Sequence, residues 1–209
     1  MSNLIKYLIA VCSVLLLNAG IQNALKAQEP AEPVVNYSFS GGKVVDNTGN
    51  TNLFLRNGTV LFEDSQRGMV LRFKADEKSY AVFDKQFVDL DTFTFAFYFY
   101  WEDDEAGAWH QLFEIFNQET GSNIFLCSAN SWNYKFSFFS DCREFGSYEG
   151  VYSKELPKNE WVHLAVTLNN KDCRLYINGV EVGSNTLMFT PSIIQGDSLF
   201  LAGNPYRSD

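Results

Sequence analysis

A chain of 209 residues with 25 Asp and Glu against 16 Lys and Arg is strongly acidic, with a formal charge of −9. Nucleic-acid affinity rests on cations that neutralise phosphates, so this balance excludes a nucleic-acid-binding role. Two histidines and four cysteines, none at metal-ligand spacing, exclude a zinc-type site, and no Gly-rich phosphate cradle follows a strand and opens a helix.

The N-terminus reads as a targeting segment. Lys6 supplies a small positive region, Tyr7 to Leu17 is almost continuously apolar, and Gln22 to Ala27 is a short polar tail ending in a small residue. The apolar run is too short to span a bilayer comfortably and lacks a stop-transfer flank, which predicts a signal peptide over 1–27 with the cut after Ala27. Cys12, preceded by Val11, is a poor match to a lipoprotein cleavage site. The expected protein is therefore secreted, extracellular, periplasmic or at the cell surface, with no stable membrane span in the mature chain. Cleavage would remove Lys6 and Lys26 and no carboxylate, leaving 14 basic against 25 acidic side chains, a formal −11. Residues 28–33, with Pro30 and Pro33, read as a short extended spacer. Residues 34–209 are enough for one domain with a substantial core.

Turn residues punctuate the rest at roughly 8–12-residue intervals and no window shows sustained helical periodicity, the cadence of an all-β sandwich or barrel. Val35–Phe39 reads as an opening strand, Asp46-Asn-Thr-Gly49 as a turn and Val70–Phe73 as a further strand. In Phe93–Trp101, Phe93, Phe95, Phe97, Phe99 and Trp101 share one side and Thr94, Ala96, Tyr98 and Tyr100 the other. The Phe side is core, because it carries too much apolar area to expose. The Tyr side either paves a face that stacks sugars or lies beneath a covering loop. Asn123–Ser128 and Tyr134–Ser140 form a hairpin around 129–133, which sets Ile124 and Leu126 opposite Phe138 and Phe136 and Cys127 opposite Lys135.

The firmest pattern is Trp161–Leu168, a turn at 169–172, Cys173–Ile177, the turn Asn178-Gly179, and Val180–Val182. Asn-Gly favours a type I′ hairpin because both central residues need positive φ. It sets Ile177 opposite Val180, Tyr176 opposite Glu181 and Leu175 opposite Val182. The loop at 169–172 sets Leu168 opposite Cys173, Val166 opposite Leu175 and Leu164 opposite Ile177. Val162 through Val182 then present one apolar face that includes Cys173, and a second face carries Trp161, His163, Arg174, Tyr176 and Glu181. Three cysteines follow the signal segment, Cys127, Cys142 and Cys173, so at least one thiol is left over.

The run W-x-H-L-A-V-T followed by L-Y-I-N-G-V resembles the late hairpin of laminin-G-like domains in the concanavalin A-like lectin/glucanase superfamily, and the likeness extends over about residues 34–205. It implies an all-β, two-sheet antiparallel β-sandwich, a jelly roll, and suggests binding of glycan, protein or calcium. Such domains continue past the equivalent of Leu199–Gly203 into a strand that returns beside the first. That closing C-terminal strand is expected to be lacking here or to be supplied otherwise.

The expected function is a secreted, non-catalytic carbohydrate-binding domain, with adhesion to an extracellular protein partner as the alternative. Trp132, at the tip of the 129–133 loop, and Trp109, after the Glu102–Gly107 loop, are large aromatics with no core to fill unless a neighbouring loop covers them, and Tyr134 flanks the first; these three are the candidate ligand-binding residues, with packing under a loop as the alternative for the tryptophans. Asp46 and Asn47 are the candidate Ca2+ ligands, since calcium takes many carboxylate and carbonyl oxygens; the alternative is that they hydrogen-bond their own turn. A glycoside hydrolase is disfavoured. It needs two carboxylates on one strand face, but Glu114 and Glu119 are five apart and point opposite ways, with Phe116 and Gln118 where acids would be needed. His163 reads as a sheet histidine and His110 has no sequence-local partner.

Overall fold

The computed structural model describes residues 6–15, 32–74, 76–84, 90–102, 110–130, 133–153 and 157–206, with 6–15, 128–130, 133–135 and 147–148 described as backbone. In chain order the first strands are β1 (Lys6–Leu15), β2 (Pro33–Tyr37), β3 (Leu53–Arg56), β4 (Val60–Asp64), β5 (Gly68–Lys74), β6 (Tyr80–Phe83), β7 (Thr92–Trp101) and β8 (His110–Phe116). There follow β9 (Asn123–Asn130), β10 (Asn133–Cys142), β11 (Ser147–Tyr152), β12 (Trp161–Asn169), β13 (Asp172–Ile177), β14 (Val180–Thr186), a one-turn helix α1 (Pro191–Ile194) and β15 (Ser198–Leu201). They form two antiparallel sheets, β14-β13-β12-β7-β1-β5-β4 with β2 beside β1, and β11-β10-β9-β8-β15-β6-β3. This is the sandwich expected of a jelly roll. Among the described residues no helix is long and apolar enough to cross a membrane.

The core lies between the sheets and is built on β7. Phe95, Phe97, Phe99 and Trp101 are each at most 2% exposed, and each contributes roughly 1.5–3 kcal/mol by leaving water. Their rings cross the interface: Phe95 stacks on Phe113 of β8 at 4.1 Å, and Phe99 meets Phe136 of β10 edge-on at 5.5 Å. β12 supplies Val162, Leu164, Val166 and Leu168 to the same face by strict alternation. The pairs Leu168–Cys173, Val166–Leu175 and Leu164–Ile177 form as the sequence predicts, and Asn178 and Gly179 take φ of 51° and 78°.

Two registers differ from expectation. A bulge between Leu175 and Tyr176 sets Leu175 opposite Gly183 rather than Val182, and Val180, at the hairpin end, is 65% exposed. A side chain at Gly183 would lie 2.4 Å from the Tyr152 carbonyl oxygen, so the glycine lets the β14 edge close against β11 of the other sheet. In the β9–β10 hairpin the pairing runs to Asn130 and Asn133, and a register shift follows Asn133. Leu126 therefore opposes Phe138, Ile124 opposes Ser140, and Cys127 opposes Ser137 rather than Lys135. Cys142 and Cys173 belong to the main core, whereas Cys127 sits with Phe125 and Phe139 on the outer face of the seven-stranded sheet; all three are buried, and none is in a disulfide among the described residues.

The position beside β2, where the resemblance calls for a returning strand, is held by β1, from the segment that reads as a signal peptide. Along one edge β1 pairs with β7 from Tyr7–Trp101 to Leu15–Thr94. Along the other it pairs with β5 from Lys6–Lys74 to Ile9–Leu71, and then with β2 from Cys12–Tyr37 to Leu15–Pro33.

Candidate functional site

The outer face of the eight-stranded sheet carries a strip of half-buried rings. Alternation turns Tyr98 and Tyr100 away from the core, and β12 pairs with β7 so that Trp161 lies opposite Tyr100 and His163 opposite Tyr98. Tyr100 and Trp161 are in tilted contact at 5.5 Å, and the His163 ring meets Tyr98 edge-on at 5.1 Å. Beneath the strip Val70 of β5 is fully buried, with Phe62 of β4 packed on it as well.

The β4–β5 turn supplies the polar rim. Asp64 Oδ1 accepts hydrogen bonds from the amides of Gln66 and Arg67, closing the turn, and from Trp161 Nε1 at 3.1 Å, which fixes the indole. The Arg67 guanidinium lies 3.5 Å from the Tyr98 ring centre and 5.9 Å from that of Trp161. Farther along, Arg72 covers Phe62 at 4.3 Å and donates from Nη2 to both Glu102 oxygens at 2.9 and 3.0 Å. Burial and the nearby Arg67 charge push the His163 imidazole below its usual range, so it is neutral at pH 7. His163 also frames the Asn178 turn: its amide donates to Asn178 Oδ1 and its carbonyl accepts from the Asn178 amide. Rings edged by a carboxylate, a guanidinium and an Arg–Glu pair can stack the C–H face of a sugar and hydrogen-bond its hydroxyls. The Tyr side of β7 is thus an aromatic surface partly covered by the β4–β5 turn.

Trp109 and Trp132 lie outside the described residues, and Tyr134 is described as backbone within β10. The described strand ends next to them converge. His110, which opens β8, is register-paired with Ser128 of β9, and its ring lies 5.5 Å from Trp101 at the end of β7. The Asn159 amide donates to the Trp101 carbonyl, so Trp161 and Tyr100 sit at that end of the sandwich too.

Asp46 is a turn-closing residue. One oxygen accepts from the amides of Asn36 and Thr48 at 2.8 and 3.1 Å; the other accepts from the Thr48 hydroxyl and the amides of Asn50 and Thr51 at 2.7–3.1 Å. Asn47 Nδ2 donates to Ser38 Oγ at 3.2 Å. Burial alone would raise the Asp46 carboxyl, but the hydrogen bonds from Asn36, Thr48 and Asn50 outweigh it and hold the group below the usual carboxylate value. Calcium does not fit this donor set, because it would have to displace five donors already aimed at the carboxylate. Among the described residues no cluster of three or more metal-ligating side chains is present.

The opposite sheet carries a polar cluster that sequence reasoning missed. Glu114 is fully buried on the outer face of β8; Oε1 accepts from Asn123 Nδ2 at 2.5 Å and Oε2 from Asn204 Nδ2 at 2.9 Å. Tyr206 stacks on Phe116 at 6.0 Å beside it, drawing residues 204–206 across β8 and β15. Across the ladder Glu114 faces Phe125 and Phe200, and Phe116 follows it on the same face.

The chain matches the family model described as the concanavalin A-like lectin/glucanases superfamily, a laminin-G type, over residues 75–209. No curated protein sequence matches it significantly. Among solved structures it is similar to domain 4 of an extracellular family-43 arabinanase from Geobacillus stearothermophilus, determined with arabinotriose. That match has 17% identity over 81% of this chain and 82% of that one, and a TM-score of 0.66. It is also similar to the laminarinase catalytic domain of Thermotoga maritima, with 12% identity over 79% and 69% of the two chains and a TM-score of 0.43. A pseudo β-1,3-glucanase of Mycobacterium tuberculosis gives 14% identity, 93% and 83% coverage, and a TM-score of 0.43.

Proposed function

Because the chain belongs to the concanavalin A-like lectin/glucanases superfamily, we propose that it is a secreted, non-catalytic carbohydrate-binding domain whose ligand stacks on the Tyr98–Tyr100–Trp161 strip. The observation that carries the reading is that strip: three half-buried rings on an outer sheet face, rimmed by Asp64, Arg67, Arg72 and Glu102. Trp109 and Trp132, which lie outside the described residues, are carried as further stacking groups on their sequence pattern alone. The similarity to an arabinanase domain determined with arabinotriose supports the choice of glycan as ligand class. A non-catalytic role is supported by Glu114, whose neighbours along and across the strand are Phe116, Phe125 and Phe200. Retaining hydrolysis would need a second carboxyl about 5.5 Å away. A glycan array probed with the wild type, Trp161→Ala and Trp132→Ala tests the assignment, and an unchanged signal in Trp161→Ala sinks it.

One observation favours the alternative of a protein-interaction module. β3 and β4 are each an edge strand of one sheet, joined through the Asn57-Gly58 turn, and each exposes a large apolar side chain, Phe54 and Val60. A concentration-independent monomer in size-exclusion chromatography argues against self-association through that edge.

A further inference from the structure

We propose that the gap between β7 and the β5–β2 pair is a peptide-binding slot for one extended apolar segment, and that Lys6–Leu15 is the occupant it holds. β1 is an interior strand with partners on both edges, so its absence would leave the β7 edge and the facing edges of β5 and β2 without their ladder partners at mid-sheet. Unpaired backbone groups in such a place are costly. The slot also specifies what fills it. Tyr7 is register-paired between Trp101 and Phe73, Ile9 between Phe99 and Leu71, Cys12 between Phe97 and Tyr37, and Val14 between Phe95 and Val35. All eight flanking residues are at most 2% exposed. A register shift between Ala10 and Cys12 sets the spacing, so the ligand class is an extended peptide with apolar residues two, three and two positions apart and no charge among them. This is strand addition at an interior position rather than at an edge.

The occupant differs from every other strand in the sheet, because the same residues form the apolar run of the predicted signal peptide. Folded into the slot, they cannot present that run to a membrane. The exported and the folded states therefore compete for one segment, and its removal opens the slot.

The test uses the full chain, purified folded, with a protease site inserted between Ala27 and Gln28. After cutting, the 1–27 fragment is expected to co-elute with the domain in a 1:1 ratio. In mild urea it should exchange with a fluorescent synthetic peptide of residues 6–15. An Ile9→Asp peptide should exchange at least tenfold less. A Leu8→Asp peptide should exchange like the parent, because its register partners Tyr100 and Arg72 lie on the outer side of the pleat. Loss of the fragment with unfolding that added peptide reverses also supports the slot. The proposal is overturned if the fragment leaves while near-UV circular dichroism and Tm stay unchanged, if unfolding is not reversed by peptide, or if the two peptide variants exchange alike.

Discussion

Replacing Asp46 with alanine separates a turn-closing carboxylate from a calcium ligand. The side chain is 4% exposed and accepts from four amides and one hydroxyl. Hydrogen bonds to a charged group contribute about 1.5–3 kcal/mol each, but a simple sum overstates the loss because water reaches the exposed side of this turn. Asn47, Gly49 and Asn50 are exposed, so the Thr48 and Asn50 donors can be solvated, whereas the amides of Asn36 and buried Thr51 are left without an acceptor. Two such orphaned donors at about 1.5 kcal/mol each predict a loss of about 3 kcal/mol. For a domain of this size that is a fall in Tm of about 6–12 °C. The folded carboxyl lies below the unfolded value of about 3.9, so its stabilisation is fully present above that pH and is lost as pH falls through the folded value. The wild-type-minus-mutant difference should be flat from about pH 5 to 8 and shrink in more acid solution. Urea melts of both proteins across that range, with millimolar calcium and with chelator, read every part of this. A loss below about 1 kcal/mol, or a wild-type midpoint that moves with calcium, refutes the reasoning.

Further outcomes are fixed by the same geometry. Gly150→Ala should destabilise by about 1–3 kcal/mol in urea melts, because a Cβ there would lie 2.5 Å from the Phe139 ring; an unchanged midpoint contradicts that packing. Burial pushes the Cys173 thiol up to about 12, so a thiol reagent at pH 8 should label it only after unfolding, and rapid native labelling would show an accessible site. The depressed His163 makes stability fall as pH drops below about 6.5, since the unfolded chain takes up that proton more readily; His163→Gln should remove this dependence, measured as Tm against pH.

Local patterns carried much of the fold. The Trp161–Ile177 register follows from alternation and turn chemistry within one short stretch, and β7 announces its core side with four phenylalanines. Departures came where bulges intervene, at Leu175 and after Asn133, because a bulge depends on what the strand packs against. Asn57-Gly58 adopts the same positive φ values as Asn178-Gly179, yet it joins strands of different sheets. A dipeptide sets a turn without choosing the partner strands.

The candidate site was legible in halves. Tyr98, Tyr100, Trp161 and His163 could each be assigned to a non-core face, but their meeting depends on the β7–β12 pairing across some sixty residues of sequence. Nothing near Arg67 or Asp64 in the sequence points to Tyr98 or Trp161, and Glu114 gives no local sign of Asn204. The seat of Lys6–Leu15 was not legible either, since an apolar run reads alike whether it is to be cleaved or to fill a sheet.

Glycan binding without cleavage on the Tyr98–Tyr100–Trp161 strip is open to direct measurement. Isothermal titration of neutral oligosaccharides, beginning with arabino-oligosaccharides, tests it when the recovered sugar is assayed for new reducing ends. Saturable 1:1 binding that falls at least tenfold in Trp161→Ala, with no reducing ends formed, is the predicted result. Absence of binding across the panel, binding indifferent to Trp161→Ala, or release of reducing ends would contradict it.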